Sequence, residues 1–211
     1  MRLIVVRHGE TLYNTHHRIT GQSDIALNPI GEQQAALVGA YLAKEPMNLI
    51  VASDLQRTRA TAQAIAQERG IPIYEDPDLR EIAMGEWEGF TNDEIAHRFA
   101  DTVVLWRTNA TNYGIPGGGE NLQQVNARIT HALTRWQTQY SDKTVVWVTH
   151  GGIIGLLVCN VLGLDISRRW QFRHDNASIT EILLEPGRAI LARLNETAHL
   201  AGMRHVEGVE A

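Results

Sequence analysis

Apolar residues are grouped in short uninterrupted runs along the chain. Three such runs are rich in β-branched residues and occupy residues 3–6, 49–52 and 144–149. Uninterrupted runs of this kind are typical of strands that are buried on both faces of a parallel sheet. A weaker run at residues 72–74 predicts a short edge strand.

Between these runs, apolar residues recur at helical spacing. Asn28 followed by Pro29 predicts the N-cap and first residue of a helix that continues to about Lys44. Ser53 and Gln56 have capping-box spacing for a second helix, which the glycine at position 70 would end. The remaining predicted helices cover residues 91–99, 122–136 and 151–162.

The alternation of strands with helices predicts one α/β domain over residues 1–211, with a mostly parallel sheet. Residues 178–184 and 189–194 flank a Pro-Gly pair and predict a closing antiparallel hairpin. The stretch from 77 to 90 carries few signals of regular structure, and residues 116–119 form a clear break.

Composition narrows the class of protein. With 44% hydrophobic and 20% charged residues, the chain is typical of a globular domain. Its formal net charge of -5 has the wrong sign for a protein that coats nucleic acid or an anionic membrane, so we expect neither partner. No apolar stretch reaches the ~18 residues of a membrane span. The single cysteine, Cys159, lies in an apolar run, which favours a buried thiol and a cytoplasmic location.

Chemically active side chains come directly after the three central strands. Arg7 and His8 follow the first strand, Arg57 lies in the first turn of the helix after the second, and His150 follows the third. In open α/β sheets the ligand crevice lies beyond the carboxyl ends of the strands. We therefore expect two histidines and two arginines to meet at one edge of the sheet.

This combination of residue types favours phosphoryl transfer. Guanidinium groups match phosphate oxygens and stay charged, so Arg7 and Arg57 define a phosphate pocket. A neutral imidazole can attack phosphorus and form a phosphohistidine. His150 and the backbone N–H of Gly151, at the start of its helix, would stabilise the equatorial oxygens. We expect this chemistry to need no metal and no cofactor.

Four motifs occur in order: RHGET at residues 7–11 with Asn14, SDLQRTRATA at 53–62, LREI at 79–82 with GEWEG at 85–89, and THGG at 149–152. Together they resemble the histidine phosphatase superfamily, in its phosphoglycerate mutase-like branch. The resemblance covers about residues 1–180. It implies a three-layer α/β/α sandwich around a mostly parallel sheet.

The resemblance also implies roles for individual residues. His8 would be the phosphorylated nucleophile, Glu81 the proton donor, and Arg7, Arg57 and His150 the phosphate pocket. Further substrate contacts are expected at Asn14, Thr20, Gly21 and Gln22. Residues 77–118 would form a cover over the active site. A homodimer is compatible with the family.

Glu81 needs a physical reason to hold a proton. The leaving alkoxide must be protonated, and a carboxyl group stays protonated where it is desolvated or close to the negative charge of the substrate. The neighbouring Met84 and Trp87 would supply an apolar wall. After release of the alcohol, the same carboxylate would activate the water that attacks the phosphohistidine.

Other features of the sequence favour structural interpretations. Residues 16–18 have poor spacing for a metal site and favour a loop, and Arg59 favours a solvated ion pair. Trp106, Trp136 and Trp147 favour packing in the core. The tail at residues 200–211 is a candidate to close the mouth of the pocket.

We expect a phosphomonoester hydrolase that acts on a small phosphorylated metabolite. Cofactor-dependent phosphoglycerate mutases carry a longer insertion, whereas only residues 89–116 are available here. The segment at residues 175–178 resembles metal-independent phosphoserine phosphatases, which places phosphoserine first among substrates. The alternatives are a phosphoglycerate mutase, a catalytically silent module that binds a phosphorylated ligand, and a metallohydrolase, for which the two arginines would be electrostatically unfavourable.

Overall fold

The computed structural model describes residues 1–67 and 69–203, and in this part of the chain a six-stranded sheet forms the centre. Its strands are β1 (Arg2–Arg7), β2 (Leu49–Ala52), β3 (Ile73–Glu75), β4 (Thr144–Thr149), β5 (Ile179–Glu185) and β6 (Arg188–Glu196). They are arranged in the order β3-β2-β4-β1-β5-β6. The pairs β3–β2, β2–β4 and β4–β1 are parallel, and β5 is antiparallel to both neighbours. The sheet is thus mostly parallel, and the edge strand and the hairpin are confirmed.

The helices are α1 (Leu12–Thr15), α2 (Pro29–Leu42), α3 (Gln56–Ala66), α4 (Asn92–Arg98), α5 (Ala100–Asn109), α6 (Leu122–Gln139) and α7 (Gly151–Leu162). Short 3-10 helices occupy Pro77–Leu79, Gly85–Trp87, Ile166–Gln171 and Ala198–Leu200. The predicted start of α2 is confirmed, because the Asn28 side chain accepts a hydrogen bond from the Gly31 N–H. The predicted span of α7 is also confirmed.

Two separate cores pack against the two faces of the sheet. Leu3 and Val5 of β1 face a core that α6 and α7 complete, whereas Ile4 and Val6 face a core completed by α2 and α3. The fold is therefore the expected three-layer α/β/α sandwich. Trp106, Trp136 and Trp147 are all buried, as is Cys159.

The capping box expected at Ser53 and Gln56 is wrong. Leu55 is the N-cap of α3 and provides no side-chain hydrogen bond, while the Gln56 N–H donates to Asp24 Oδ1 at 2.7 Å. α3 ends at Ala66, before Gly70. A carboxylate distant in the sequence thus replaces the local cap and leaves the Ser53 hydroxyl free for another partner.

Helix α5 lies where no helix was expected. Its sequence includes the β-branched residues Thr102, Val103 and Val104, which disfavour a helix, and Trp106 alone is buried. The contact of Trp106 with Trp87, at 6.2 Å between ring centroids, fixes α5 through tertiary packing.

In the described ranges, none of the helices combines the length and the apolar character needed to cross a membrane. Of the tail that was a candidate to close the pocket, residues 204–211 lie outside the described residues.

Candidate active site

The sheet order brings three strand ends together. β4 lies between β1 and β2, so the residues that follow these strands, His8, Ser53 and His150, become neighbours. The His8 N–H donates to the Thr149 carbonyl at 3.0 Å and the Ser53 N–H to the Val148 carbonyl at 3.0 Å, which extends the ladder into the site. The rings of His8 and His150 pack edge to face, with centroids 5.1 Å apart.

The environment of His8 fixes its tautomer. Nδ1 lies 2.7 Å from the Gly9 carbonyl oxygen, which can only accept, so Nδ1 carries the proton. Nε2 therefore keeps its lone pair. Burial lowers the pKa of His8 well below its ordinary value, and the charges of Arg57 and Arg7 lower it further. At neutral pH this ring is uncharged, and its Nε2 lone pair is available for attack on an electrophile.

Arg57 is fully buried beside the two histidines. Its guanidinium donates to the carbonyls of Ser23 at 2.8 Å and Gly21 at 2.9 Å, and its Nε to His150 Nδ1 at 3.3 Å. Burial lowers its pKa to about 10, so the group stays charged at neutral pH. The loop at residues 21–23 thus holds this arginine against the pocket.

Arg7 is held by the segment that precedes β5. Its Nη1 donates to the His174 carbonyl, and its Nε is buried with no partner in the described part of the chain. A Cβ added at Gly151 would lie 3.5 Å from this Nε, so the glycine at the start of α7 lies directly against the guanidinium. The unpaired N–H is available to an anion at the edge of the sheet.

His150 is fully buried and is not among the cavity-lining residues. Because Arg57 Nε can only donate, Nδ1 of His150 accepts, and its Nε2 carries a proton toward Ser53 Oγ at 3.0 Å. Burial lowers the pKa of His150 well below its ordinary value, with Arg57 the next cause. In this arrangement His150 orients Arg57 and supports the ring of His8.

Glu81 reaches the site from the loop that follows the first 3-10 helix. Its Oε1 accepts from the Ile82 N–H at 2.9 Å and its Oε2 from the Gly152 N–H at 3.2 Å. The carboxylate is therefore positioned by the N-terminus of α7, beside the cavity that His8 lines. Met84 lines this cavity, whereas Trp87 lines a neighbouring one.

The backbone of this loop is fixed by Arg128 of α6, which the motifs did not indicate. Arg128 donates to the carbonyls of Asp78 at 2.6 Å, Arg80 at 2.7 Å and Glu81 at 3.0 Å, and it forms an ion pair with Glu120. One side chain thus closes four contacts around the segment that presents the Glu81 carboxylate.

The expected substrate contacts fall into two groups. Asn14, Thr20, Gly21 and Gly151 line the cavity, but Gln22 is not among its lining residues. Asn14 Oδ1 accepts from Thr11 and Asn176, so its NH2 group is left to face the cavity. Gln22 donates its side-chain amide to the Glu81 carbonyl at 3.0 Å and so helps to fix that loop.

The family-model match to the histidine phosphatase superfamily (branch 1) spans residues 3–197. The chain belongs to this superfamily. Phosphoserine phosphatase 1 of Hydrogenobacter thermophilus is 32% identical over 100% of this chain and 99% of that protein. Phosphoglycerate mutase-like protein 4 of Arabidopsis thaliana is 39% identical over 72% of this chain and 67% of its own length.

Among solved structures, a mycobacterial glucosyl-3-phosphoglycerate phosphatase in complex with VO3 superposes with a TM-score of 0.83. It is 33% identical, and the match covers 93% of this chain and 99% of that one. Taken with the superfamily match, these likenesses identify the chain as a phosphatase of the histidine phosphatase superfamily. Its substrate is a separate question.

The catalytic cavity of this histidine phosphatase has a volume of about 310 Å³. The stretch expected to act as a cover contributes Glu81, Ile82 and Met84 to it, while α4 and α5 line a second cavity of about 320 Å³. The two cavities share Ile19, Met84 and Trp170. The second cavity therefore adjoins the one that His8 lines.

The segment between α7 and β5 supplies site residues that sequence reasoning missed. Arg169, Trp170, Phe172 and His174 all line the catalytic cavity. Asn176 donates to the His8 carbonyl at 3.2 Å and to Asn14 Oδ1 at 3.2 Å, which fixes the first motif. A signal was present in the sequence, because residues 168–174 group basic and aromatic residues in an acidic chain.

Proposed function

We propose that this histidine phosphatase hydrolyses a small phosphomonoester, without a metal, through a phosphohistidine on His8. The arrangement around His8 Nε2 carries this proposal. The nitrogen keeps its lone pair in a buried site beside Arg7 and Arg57, and Arg7 Nε has no partner among the described residues. A phosphoryl group would complete this set, since its oxygens accept from both guanidinium groups.

In the first step, His8 Nε2 forms a bond to phosphorus as the bond from phosphorus to the ester oxygen breaks. Arg7, Arg57, the Asn14 amide and the Gly151 N–H bind the phosphoryl oxygens and stabilise the charge that they share. Glu81, in its protonated form, gives its proton to the leaving alkoxide. Thr20 and Gly21 line the cavity beside the substrate, whereas Gln22 holds the loop that carries Glu81.

In the second step, the Glu81 carboxylate takes a proton from water while the water oxygen bonds to phosphorus and the His8–phosphorus bond breaks. Inorganic phosphate leaves, and Glu81 is protonated again for the next cycle. The hydrogen bonds from the Ile82 and Gly152 N–H groups position the Glu81 carboxyl group beside the cavity.

Phosphoserine is the first substrate that we propose. The full-length likeness to a phosphoserine phosphatase supports it, as does the cavity of about 310 Å³, which suits a small ester. Glucosyl-3-phosphoglycerate is a second substrate to test, because a phosphatase that takes its name from this ester is similar to the chain.

A phosphoglycerate mutase is the second candidate, and the likeness to a mutase-like protein favours it. A mutase must keep water away from the phosphohistidine, whereas a phosphatase must admit it. Between residues 89 and 116 the chain has only the short helices α4 and α5, which line the second cavity rather than the catalytic one. This small cover supports hydrolysis.

The test is release of inorganic phosphate, with chelator present, from phosphoserine and a panel of phosphomonoesters. Conversion of 3-phosphoglycerate to 2-phosphoglycerate, with bisphosphoglycerate added, is measured in parallel. We expect phosphate release that His8→Ala abolishes and an acid-labile phosphoenzyme that the same substitution removes. Glu81→Gln should slow turnover most for esters with poor leaving groups, because these need the proton.

His97→Ala is the matched control, since His97 is exposed on α4, and it should leave activity intact. Loss of all phosphate release with chelator would contradict the metal-free mechanism. Rapid isomerisation with little phosphate release would identify the chain as a mutase. Full activity in His8→Ala would exclude the proposed nucleophile.

A further inference from the structure

A buried arginine in the wall of the catalytic cavity has two guanidinium nitrogens that make no hydrogen bond in the described part of the chain. Arg169 is only 2% exposed and lies in the 3-10 helix Ile166–Gln171. Its Nε and Nη2 atoms are buried and have no hydrogen-bond partner within residues 1–67 and 69–203. Over the same residues, none of the ion pairs includes it.

The charge of Arg169 is unfavourable for the folded protein. Burial lowers its pKa to about 10, which still leaves it protonated at neutral pH. The guanidinium Cζ lies 3.9 Å from the ring centroid of Trp170 and 5.7 Å from that of Trp106. These rings attract the cation and hold its plane, but they accept no conventional hydrogen bond from it. The N–H groups therefore stay free for a ligand.

Close packing against α7 sets the position of this arginine. A Cβ added at Gly155 would lie 3.0 Å from the Arg169 carbonyl oxygen and 3.1 Å from the Arg169 Cβ. Because α7 begins at Gly151, the same helix positions both Arg169 and the catalytic edge of the sheet.

Arg169 lines the catalytic cavity where that cavity adjoins the second one, since Trp170 lines both. Both tryptophans that pack on it line the second cavity, which His8, Arg7 and Arg57 do not line. Arg7 and Arg57 already provide two guanidinium groups for the reacting phosphoryl group, so the guanidinium of Arg169 is available to another part of the substrate.

We infer that Arg169 binds a second anionic group of the substrate, a carboxylate or a second phosphate, carried by the leaving alcohol. The inference rests on the proposed function, because it needs a phosphomonoester held at His8. Arg169 is then a specificity-determining residue. It selects esters whose alcohol carries an anionic group over esters of the same size whose alcohol is neutral or cationic.

Matched substrate pairs test this inference. Phosphoserine is compared with phosphoethanolamine, which lacks only the carboxylate, and 3-phosphoglycerate with glycerol 3-phosphate, in which a hydroxymethyl group replaces the carboxylate. Fructose 1,6-bisphosphate against fructose 6-phosphate tests a second phosphate. For each pair, the ratio of the two kcat/KM values is measured in the wild-type enzyme and in Arg169→Met. We expect the wild-type preference for the member with the additional carboxylate or phosphate to fall by roughly 10- to 100-fold in the variant.

Two further variants control the experiment. Arg168→Met changes an exposed arginine in the same 3-10 helix and should leave every ratio as in wild type. Arg169→Lys keeps the charge but loses the planar fork, so it should retain part of the preference even where Arg169→Met folds poorly.

The outcome identifies the ligand. A fall confined to the carboxylate pairs assigns a carboxylate, and a fall confined to the bisphosphate pair assigns a second phosphate. An equal loss on both members of every pair, or no change in any ratio, overturns the inference while leaving the phosphatase intact. A wild-type enzyme that releases phosphate from no ester would show failure of the proposed function, and the inference would fall with it.

Discussion

The two ends of strand β1 each carry an arginine, and the two arginines differ in their partners and in their burial. Arg2 donates to Glu181 at 2.6 Å and to Glu45 at 2.7 Å, and these partners raise its pKa. Arg7 is more deeply enclosed, has an unpartnered Nε in the described structure, and has its pKa lowered by burial. Paired charge stabilises the fold, whereas unpaired buried charge is available to a ligand.

The same contrast extends to the whole catalytic end of the sheet. Arg7, Arg57 and Arg169 all face one cavity without a carboxylate ion-pair partner among the described residues, and burial lowers the pKa of each. At the opposite end, Glu181 receives both Arg2 and Arg193. We therefore expect stability and function to depend on different arginines at the two ends of the sheet.

Exchanging each arginine of β1 for methionine gives the largest expected effects. Arg7→Met should lower kcat/KM by about 100- to 1000-fold, because it removes donors to the phosphoryl group. Its free energy of unfolding should match or exceed that of wild type, since a buried cation is lost. Arg2→Met should keep full activity but lose about 1–3 kcal/mol of unfolding free energy, because Glu181 and Glu45 lose a partner.

Urea unfolding and phosphate-release kinetics on the same two variants measure these separate effects on stability and on activity. A strongly destabilised Arg7→Met would mean that Arg7 is a structural residue. Loss of activity in a folded Arg2→Met would mean that the two ends of the strand are coupled.

We expect the free energy of unfolding to fall at low pH because of buried histidines at the catalytic end of the sheet. Burial lowers the pKa of His174 to about 4, and it lowers those of His8 and His150 well below the ordinary value. The unfolded chain takes up these protons near pH 6.5 while the folded chain does not, so stability falls as the pH falls below 6.5. For His174 this window extends from about 6.5 to about 4.

The measurement is urea unfolding between pH 6.5 and 5, in wild type and in His174→Gln. Each such histidine contributes a slope of up to about 1.4 kcal/mol per pH unit, so the variant should show a shallower pH dependence by about that amount. His97→Gln, on the exposed face of α4, should keep the wild-type slope. An equal pH dependence of the unfolding free energy in wild type and in His174→Gln would contradict the lowered pKa of His174.

The sequence could predict the part of the site that follows local rules. The polar residues that follow the buried strands placed His8, His150, Arg7 and Arg57 at one edge, and the family motifs added Glu81. The sequence did not indicate Arg128 and Arg169, because their roles depend on contacts with segments distant in the sequence. Ser53 was misassigned as a helix cap for the same reason, since Asp24 caps α3 and Ser53 contacts His150 instead.

The smallest expected effect concerns an exposed arginine. It tests whether the contribution of an arginine to stability depends on its burial rather than on its charge alone. Arg59 forms the solvated ion pair that the sequence predicted, 3.8 Å from Glu75 with 43% of its side chain exposed. Water and salt screen such a pair, so Arg59→Ala should change the free energy of unfolding by less than about 0.5 kcal/mol and leave phosphate release unaltered. Urea unfolding and the phosphate-release assay measure both. A loss comparable to that of Arg2→Met would show that exposed pairs also stabilise this fold, and the contrast between paired and unpaired arginines would then no longer depend on their burial.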